Sequence, residues 1–561
     1  MRRSAFAAAR TGTKFKRVLL FGVGLALLCA AVIRFEPPSR AAAQPTLGAL
    51  PVIWSLPVDP YRDPMVRKVC PDPALTPVLD GRPIRVDLKP AQPLVVGEIP
   101  AKWWRKPPVT DPGWWLNFQA LTWMSAPAVR AARDHQLGSL TAMIRQMVTF
   151  HVVNPDPGDI RFGWDEGTAL RRLATENCLY ALTREPALVD GMEADVAVLT
   201  GKRYAGPPKM AVHNHGMMAN LRMIDAAKIL GRPEWAAVAV DRILSEAPLA
   251  FSAQGVSFEQ SSLYQQVNAG LWENAAKALE GFPGYDSQAA KIRALVRKAE
   301  RVQAFMTAPD GDIVQVGDAD RVAGRKRAVR GDLVLRDDET GWMIGRTSWT
   351  DPNAIHYTVR YGPGRRAHGQ EDRAGGLTWS ALGTRILVGT GRYNYDTKEP
   401  LSTYRREPRS QNVATPADGR IHRGGTSTVT AVTKPDTHRV KVFDTVYGEP
   451  HRREITIAQH QARLVVRDAF EGVRAWSQSW HLDPAWMLVS GAVGDDELTF
   501  RHPSGQRLTI ATTGRVAGIW FGDARGPHGW VFPKEREKKP AYELSFAAPG
   551  GAPVETIFKI Y

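Results

Sequence analysis

Cysteine is scarce in this chain: 3 among 561 residues, at positions 29, 70 and 178. That is too few for a fold held together by disulfides. Long apolar runs are scarcer still. Val18 to Ile33 is apolar over 16 residues, slightly short for a spanning helix, and no later segment reads as a membrane span. There is no basic stripe and no nucleic-acid motif, so the formal charge of +16 does not point to DNA or RNA. No strict internal repeat is present. Hydrophobic residues at 43% and charged residues at 23% exclude a disordered chain, and the length calls for two domains or more.

Arg2, Arg3, Arg10, Lys14, Lys16 and Arg17 precede the apolar run, and Ala41-Ala42-Ala43 follows it. Residues 1–43 are therefore expected to be a signal peptide or an uncleaved signal anchor, the anchor being the one route to a membrane. Cys29 follows Leu28, a poor context for lipid attachment. Export leaves Cys70 and Cys178, which either pair in an oxidising compartment or stay as two buried thiols. The leader carries eight Lys and Arg against one Glu, or +7, which leaves +9 of the +16 on residues 44–561. An exported basic protein suits an acidic polysaccharide, with no nucleic acid as partner. The 17 Trp suit sugar stacking, although any one Trp is expected in the core. Nothing in the sequence sets the oligomeric state.

The chain changes character near residue 310. Residues 44–112 are Pro-rich and read as an extended N-terminal arm. Residues 113–308 carry apolar positions at three- and four-residue spacing in 'LNFQALTWMSAPAVRAARD', 'GTALRRLATENCLYALTR', 'MMANLRMIDAAKILG', 'PEWAAVAVDRILSEA' and 'SQAAKIRALVRKAERVQAFM', which predicts helical hairpins stacked into an incomplete (α/α) toroid. Within residues 309–561, from about residue 340, the period becomes two, as in 'AIHYTVRY', 'TSTVTAVT', 'HRVKVFDTVY' and 'ETIFKIY'. That predicts an antiparallel β-sandwich. The fold class is thus α+β, with the ligand groove expected between toroid and sandwich.

Four clusters carry chemistry-bearing side chains: 'HNHGMMANL' from His213, 'SFEQSSLYQQ' from Ser257, 'GRRAHGQED' from Gly364 and 'GTGRYNYD' from Gly389. Taken singly, a His or Tyr in such a stretch is more often structural. Their order resembles the heparinase II/III-like polysaccharide lyases, which include oligoalginate lyases. The resemblance spans roughly residues 160–490. It rests on Asn214-His215 in the toroid, Glu259-Gln260-Ser261-Ser262-Leu263-Tyr264 after it, and Asp310-Gly311 with Gly317-Asp318 and Asp320 in the linker. It continues through His368-Gly369-Gln370-Glu371-Asp372, then Gly389-Thr390-Gly391 with Tyr393 and Tyr395, and ends at 'WHLDP' from Trp480.

The resemblance implies β-elimination at a uronic acid. Asn214 would neutralise the substrate carboxylate. Tyr264 would serve as acid, or as acid and base together. His215 and His368 are candidates for base or for charge neutralisation. Arg365, Arg366, Glu259 and Tyr393 are candidates for holding substrate. The structural alternatives are a helix-start role for His215, a packed ring for Tyr264 and a solvated turn for the two Arg.

No cofactor is implied. Relatives hold a structural zinc through a second His and an Asp at positions where this chain has Gln370 and Gly389, neither of them a good ligand. His451 or His460 would be a leftover third, so no metal is expected there. The stretch 'RSQNVAT' at 409–415 also departs from the family pattern. Two other readings remain. One is an inverting glycoside hydrolase using Asp165, Glu166 and Glu259. The other is a non-catalytic polysaccharide-binding or cell-envelope assembly protein.

Overall fold

The structure is a computed structural model that describes residues 62–71, 84–96, 99–133, 163–201, 203–324, 331–458, 460–473 and 475–561, together with Ile144, Arg145 and Val148. The predicted leader, 1–43, lies outside the described residues. Among the described residues no helix is long and apolar enough to cross a membrane.

The arm is less irregular than its proline content suggests. It contains helix α1 (Pro64–Val69), which Asp63 caps through its side chain, and a short hairpin, Ile84–Val86 with Leu94–Val96. Cys70, at the end of α1, forms a disulfide with Cys178. Asp111 accepts from the Trp114 amide at 2.8 Å and starts α2 (Pro112–Gln119), with proline where its missing N–H costs nothing. Trp104, Trp114, Phe118 and Trp123 pack together in the interior. These indoles are core, as the prior for a single Trp has it.

After α3 (Ser125–Arg133) come three helical hairpins: α4 (Glu166–Thr183) with α5 (Ala187–Thr200), α6 (Asn214–Leu230) with α7 (Pro233–Glu246), and α8 (Ser262–Glu280) with α9 (Asp286–Met306). The odd partners pack outside. Helices α4, α6 and α8 pack on one another side by side around a core of Ala, Leu, Met and Ile. Each of the three begins on a polar cap: Asp165, His213 and Ser261 accept from amides two or three residues on. Parallel inner helices bring those three caps, and the positive ends of three helix dipoles, to one end of the toroid.

The sandwich is antiparallel throughout its three main sheets, of five, eight and four strands. The strand Thr437–Asp444 alternates buried and exposed, as a sheet with one wet face should. His356–Arg360 is buried along its whole length, because its sheet is covered on both sides. Trp379, Trp480, Leu464, Val440 and Phe558 fill the space between sheets. A toroid followed by an antiparallel sandwich is the architecture that the two sequence periods predict.

Candidate functional site

Three segments from distant parts of the chain meet at the head of α6 and α8. The first is His213-Asn214-His215, where α6 starts. The second is Ser257–Tyr264, which leads into α8. The third is the loop Gly364–Asp372, between strands His356–Arg360 and Gly376–Ala381. They touch so closely that no side chain fits at Gly317: a Cβ there would lie 2.5 Å from the Gln260 carbonyl oxygen and 2.7 Å from that of His368. Gln260 takes a positive φ of 57°, strained for a non-glycine residue. Its buried side chain accepts from the Arg366 amide at 2.7 Å and donates to the Gly364 carbonyl at 3.2 Å. That clamp holds the loop bearing His368.

Asn214 sits at the centre, 3% exposed. Its backbone N–H donates to Glu259 Oε1 at 2.7 Å, and its Nδ2 donates to Glu259 Oε2 at 2.9 Å. A carboxylate only accepts, so the amide nitrogen must face Glu259 and the orientation of the amide is fixed. The same Nδ2 lies 3.2 Å from His368 Nε2. On the other side of that ring, Nδ1 lies 3.3 Å from Asp318 Oδ2. The two contacts agree on one tautomer: Nδ1 carries the proton toward Asp318, and Nε2 keeps its lone pair toward Asn214. Asp318 is itself held by buried Arg405 and by Gln370 Nε2 at 2.7 Å. Burial pushes the Asp318 carboxyl up, but the hydrogen bond from His368 and the charge of Arg405 outweigh it and hold it below the usual range.

The Tyr264 ring stacks flat on His368, with centroids 3.4 Å apart. Its hydroxyl lies 3.2 Å from that of Tyr395, which in turn reaches His368 Nδ1 at 3.4 Å. Burial raises the Tyr264 hydroxyl above its ordinary range, and the hydrogen bond to Tyr395 and the charge of Arg392 offset this only in part. Tyr395 is 43% exposed, so the cluster runs from a buried carboxylate at Glu259 to open solvent.

His215 lies beside this group, its ring edge-on to His213 with centroids 5.1 Å apart. Arg171 Nη2 approaches its Nε2 at 3.4 Å, and the Tyr204 hydroxyl lies 3.5 Å from its Nδ1. Arginine only donates, so Nε2 is the acceptor and its lone pair is taken. Burial, then the charge of Arg171, lowers His215 to about 3, and burial lowers His213 as well.

The structure therefore brings together Asn214, His215, Glu259, Tyr264 and His368. The remaining candidates lie apart from this group. Arg365 and Arg366 are exposed, the first donating to the Gly369 carbonyl at 2.9 Å and the second resting over the Phe258 ring. Tyr393 packs on Phe532, with centroids 5.0 Å apart. Tyr395, in the same 'GTGRYNYD' stretch, is the tyrosine that reaches the cluster. Sequence reasoning also gave no role to His213, Asp318 or Arg405. The first two lie inside the quoted motifs, whereas Arg405 carries no local signal. Asp165 Oδ1 caps α4, and Glu166 Oε2 accepts from the Tyr204 and Ala205 amides at 2.8 and 3.1 Å. Gln370 is bound to Asp318, and a Cβ on Gly389 would strike the Gln315 carbonyl. His451 is enclosed by Asp444 and Asp468, and His460 pairs with Asp436 on the surface. One group among the described residues has metal-ligating atoms within 4.8 Å of one another: His213, Glu259 and His368.

A scan against models of protein families finds no match, and no curated protein sequence matches. Solved structures do match. A heparinase III structure aligns with a TM-score of 0.64 at 13% identity, over 85% of this chain and 80% of that one. A mutant of the heparan sulfate lyase HepC from Pedobacter heparinus aligns with a TM-score of 0.57 at 15% identity, over 89% of this chain and 83% of that one. At such identity the likeness establishes the fold: this chain has the toroid-plus-sandwich architecture of heparinase-type polysaccharide lyases.

Proposed function

We propose that the protein is an exported polysaccharide lyase that cleaves an acidic, uronic-acid-containing polysaccharide by β-elimination. The observation that carries this reading is the convergence of Asn214, His368 and Tyr264, from two toroid segments and one sandwich loop, on a single solvent-open cluster. Separation by up to about 150 residues gives no other reason for them to meet. The positive ends of α4, α6 and α8, with Arg171, favour an anionic ligand there.

The reaction needs three groups. The Asn214 amide keeps one N–H on Glu259 and, when substrate enters, turns the other from His368 Nε2 to the uronate carboxylate. That contact stabilises the enolate-like charge that develops there and frees the Nε2 lone pair. His368, backed by Asp318, offers Nε2 to take the C5 proton. The electron pair forms the C4–C5 double bond, the C4–O bond breaks, and the departing oxygen takes the Tyr264 proton. A half-buried phenol, held protonated, suits that last step. His215 is a poorer base because burial and the charge of Arg171 beside its Nε2 disfavour the protonated ring, so its part is to shape the anion pocket with Arg171. Arg365 and Arg366, exposed on the loop that carries His368, would attract the rest of an acidic chain.

The hydrolase reading fares worse. Glu259 spends both oxygens on Asn214, Asp165 Oδ1 caps α4, and buried Glu166 holds the Tyr204 and Ala205 amides. That arrangement suits structural carboxylates better than a pair holding a water across a cleft. Incubating the purified protein with a panel of acidic polysaccharides tests the proposal. A lyase produces near-ultraviolet absorbance from the new double bond. New reducing ends without that absorbance would mean hydrolysis, and binding without either would mean a non-catalytic protein.

A further inference from the structure

The group of His213, Glu259 and His368 has properties that the elimination does not require. Glu259 is 2% exposed, yet among the described residues it has no Arg or Lys partner: the basic group within 4.0 Å is the His368 imidazole, Nε2 at 3.7 Å, which is neutral in the tautomer its contacts select. Asn214 supplies it with hydrogen bonds but no charge. A buried carboxylate facing two imidazoles is short of positive charge. Two imidazoles and one carboxylate with an open fourth position form a donor set that zinc takes in catalytic sites. Magnesium and calcium demand oxygen ligands and fit it badly.

The second layer fits as well. His368 presents its other nitrogen, Nδ1, to Asp318 at 3.3 Å, and Asp318 is locked by Arg405 and Gln370. A carboxylate behind the imidazole is the arrangement that fixes tautomer and direction in metal-bound histidines. Four-coordinate zinc, with bonds of about 2.0–2.1 Å, places its donor atoms roughly 3.3 Å apart. Donor atoms that already lie within 4.8 Å of one another close to that spacing by side-chain rotation, chiefly of His213. Its present bond, from the His215 amide at 3.3 Å, is a long one.

We propose that His213, Glu259 and His368 form a zinc site whose filling shuts the site off. The inhibitory consequence rests on the lyase reading. Zinc takes the His368 Nε2 lone pair and draws Glu259 Oε2 away from the Asn214 amide. The metal is an inhibitor and not a cofactor, so a chelator leaves turnover unchanged or raises it.

The test starts with zinc chloride alone, titrated calorimetrically into chelator-treated full-length protein. One ion per chain is expected, with binding weakened at least tenfold in both Glu259→Gln and His213→Ala. If either variant folds poorly, the wild type carries the test by two other routes. Cobalt(II) should give the intense visible bands of a four-coordinate site, and bound zinc should protect His213 and His368 from acylation by diethyl pyrocarbonate. No binding to the wild type would overturn the proposal, as would affinity unchanged in two folded variants or no protection of the two histidines. Because these readouts need no polysaccharide, they stand or fall apart from the lyase reading. If unsaturated product does form, micromolar zinc should suppress it and chelator should restore it. Zinc-insensitive turnover in protein that binds the ion at these residues would overturn the inhibitory half.

Discussion

Glu259 holds Asn214 at two points, so its charge matters more than its shape. In Glu259→Gln the new amide carries both a donor and an acceptor, and Asn214 is free to turn its oxygen toward the substrate carboxylate. On the lyase reading kcat should fall about 100- to 1,000-fold, the range seen when one oxyanion donor is lost, while the melting temperature moves little. Unchanged kcat would remove Asn214 from the chemistry. Tyr264→Phe keeps the stacked ring on His368 and removes the transferable proton. A general acid contributes roughly 10²- to 10⁴-fold, so kcat should drop by that much with KM nearly retained. Steady-state kinetics followed by the near-ultraviolet absorbance of the unsaturated product checks both. A Phe variant that turns over normally would end Tyr264's part as acid. Several of these residues are legible in the sequence because they sit in short polar stretches at helix starts and loops. Arg405 is not, since a lone arginine 87 residues from Asp318 leaves no trace in spacing. Tyr393 and Tyr395 are two residues apart in one motif, and only packing on Phe532 tells which of them turns away.

The elements that carry the site are held by features of different legibility. Three- and four-residue spacing is enough to read α4, α6, α7 and α9, because each helix buries one face against its neighbours. Period two is enough for Thr437–Asp444 or Arg463–Phe470. The short hairpin in the arm escapes sequence reasoning, because three-residue strands among prolines carry no period at all. The clamp at Gln260 and the close approach at Gly317 are tertiary facts. Gly317→Ala places a methyl group against two carbonyls and forces a side chain into φ +70°, so it should disturb the His368 loop and lower kcat while leaving most of the helical signal in circular dichroism. One buried device acts on stability. His451 lies between Asp444 at 2.7 Å and Asp468 at 2.9 Å. Burial disfavours its charge, but the two carboxylates outweigh that and raise it to about 9. A raised imidazole contributes stability that is fully present below its unfolded value of about 6.5 and is lost as pH climbs through 9, a loss on the order of 3 kcal/mol. The melting-temperature gap between wild type and His451→Gln should therefore be wide at pH 6 and narrow by pH 10. A gap independent of pH would show that the charge plays no part.

At the scale of the whole molecule, reach and chemistry separate. The chain carries +16, and +9 without its first 43 residues, while Arg365 and Arg366 stand exposed on the loop that carries His368. Exposed charge attracts a polyanion over distances comparable with the Debye length, about 8 Å at physiological ionic strength and about 3 Å at 1 M. Salt should therefore slow encounter and weaken binding. The chemical step is another matter. Asn214, Glu259 and Asp318 are each at most 3% exposed, and interactions among buried groups are screened far less. Raising sodium chloride from 50 mM to 500 mM should cut kcat/KM severalfold or more while kcat stays within about a factor of two. Arg365→Ala with Arg366→Ala should flatten that salt dependence at low ionic strength and leave kcat in place, because rim charges govern association and not turnover. If kcat fell in parallel with kcat/KM, the charges that matter would be the ones doing the chemistry, and the buried cluster at Asn214 would not be the place where the bond breaks.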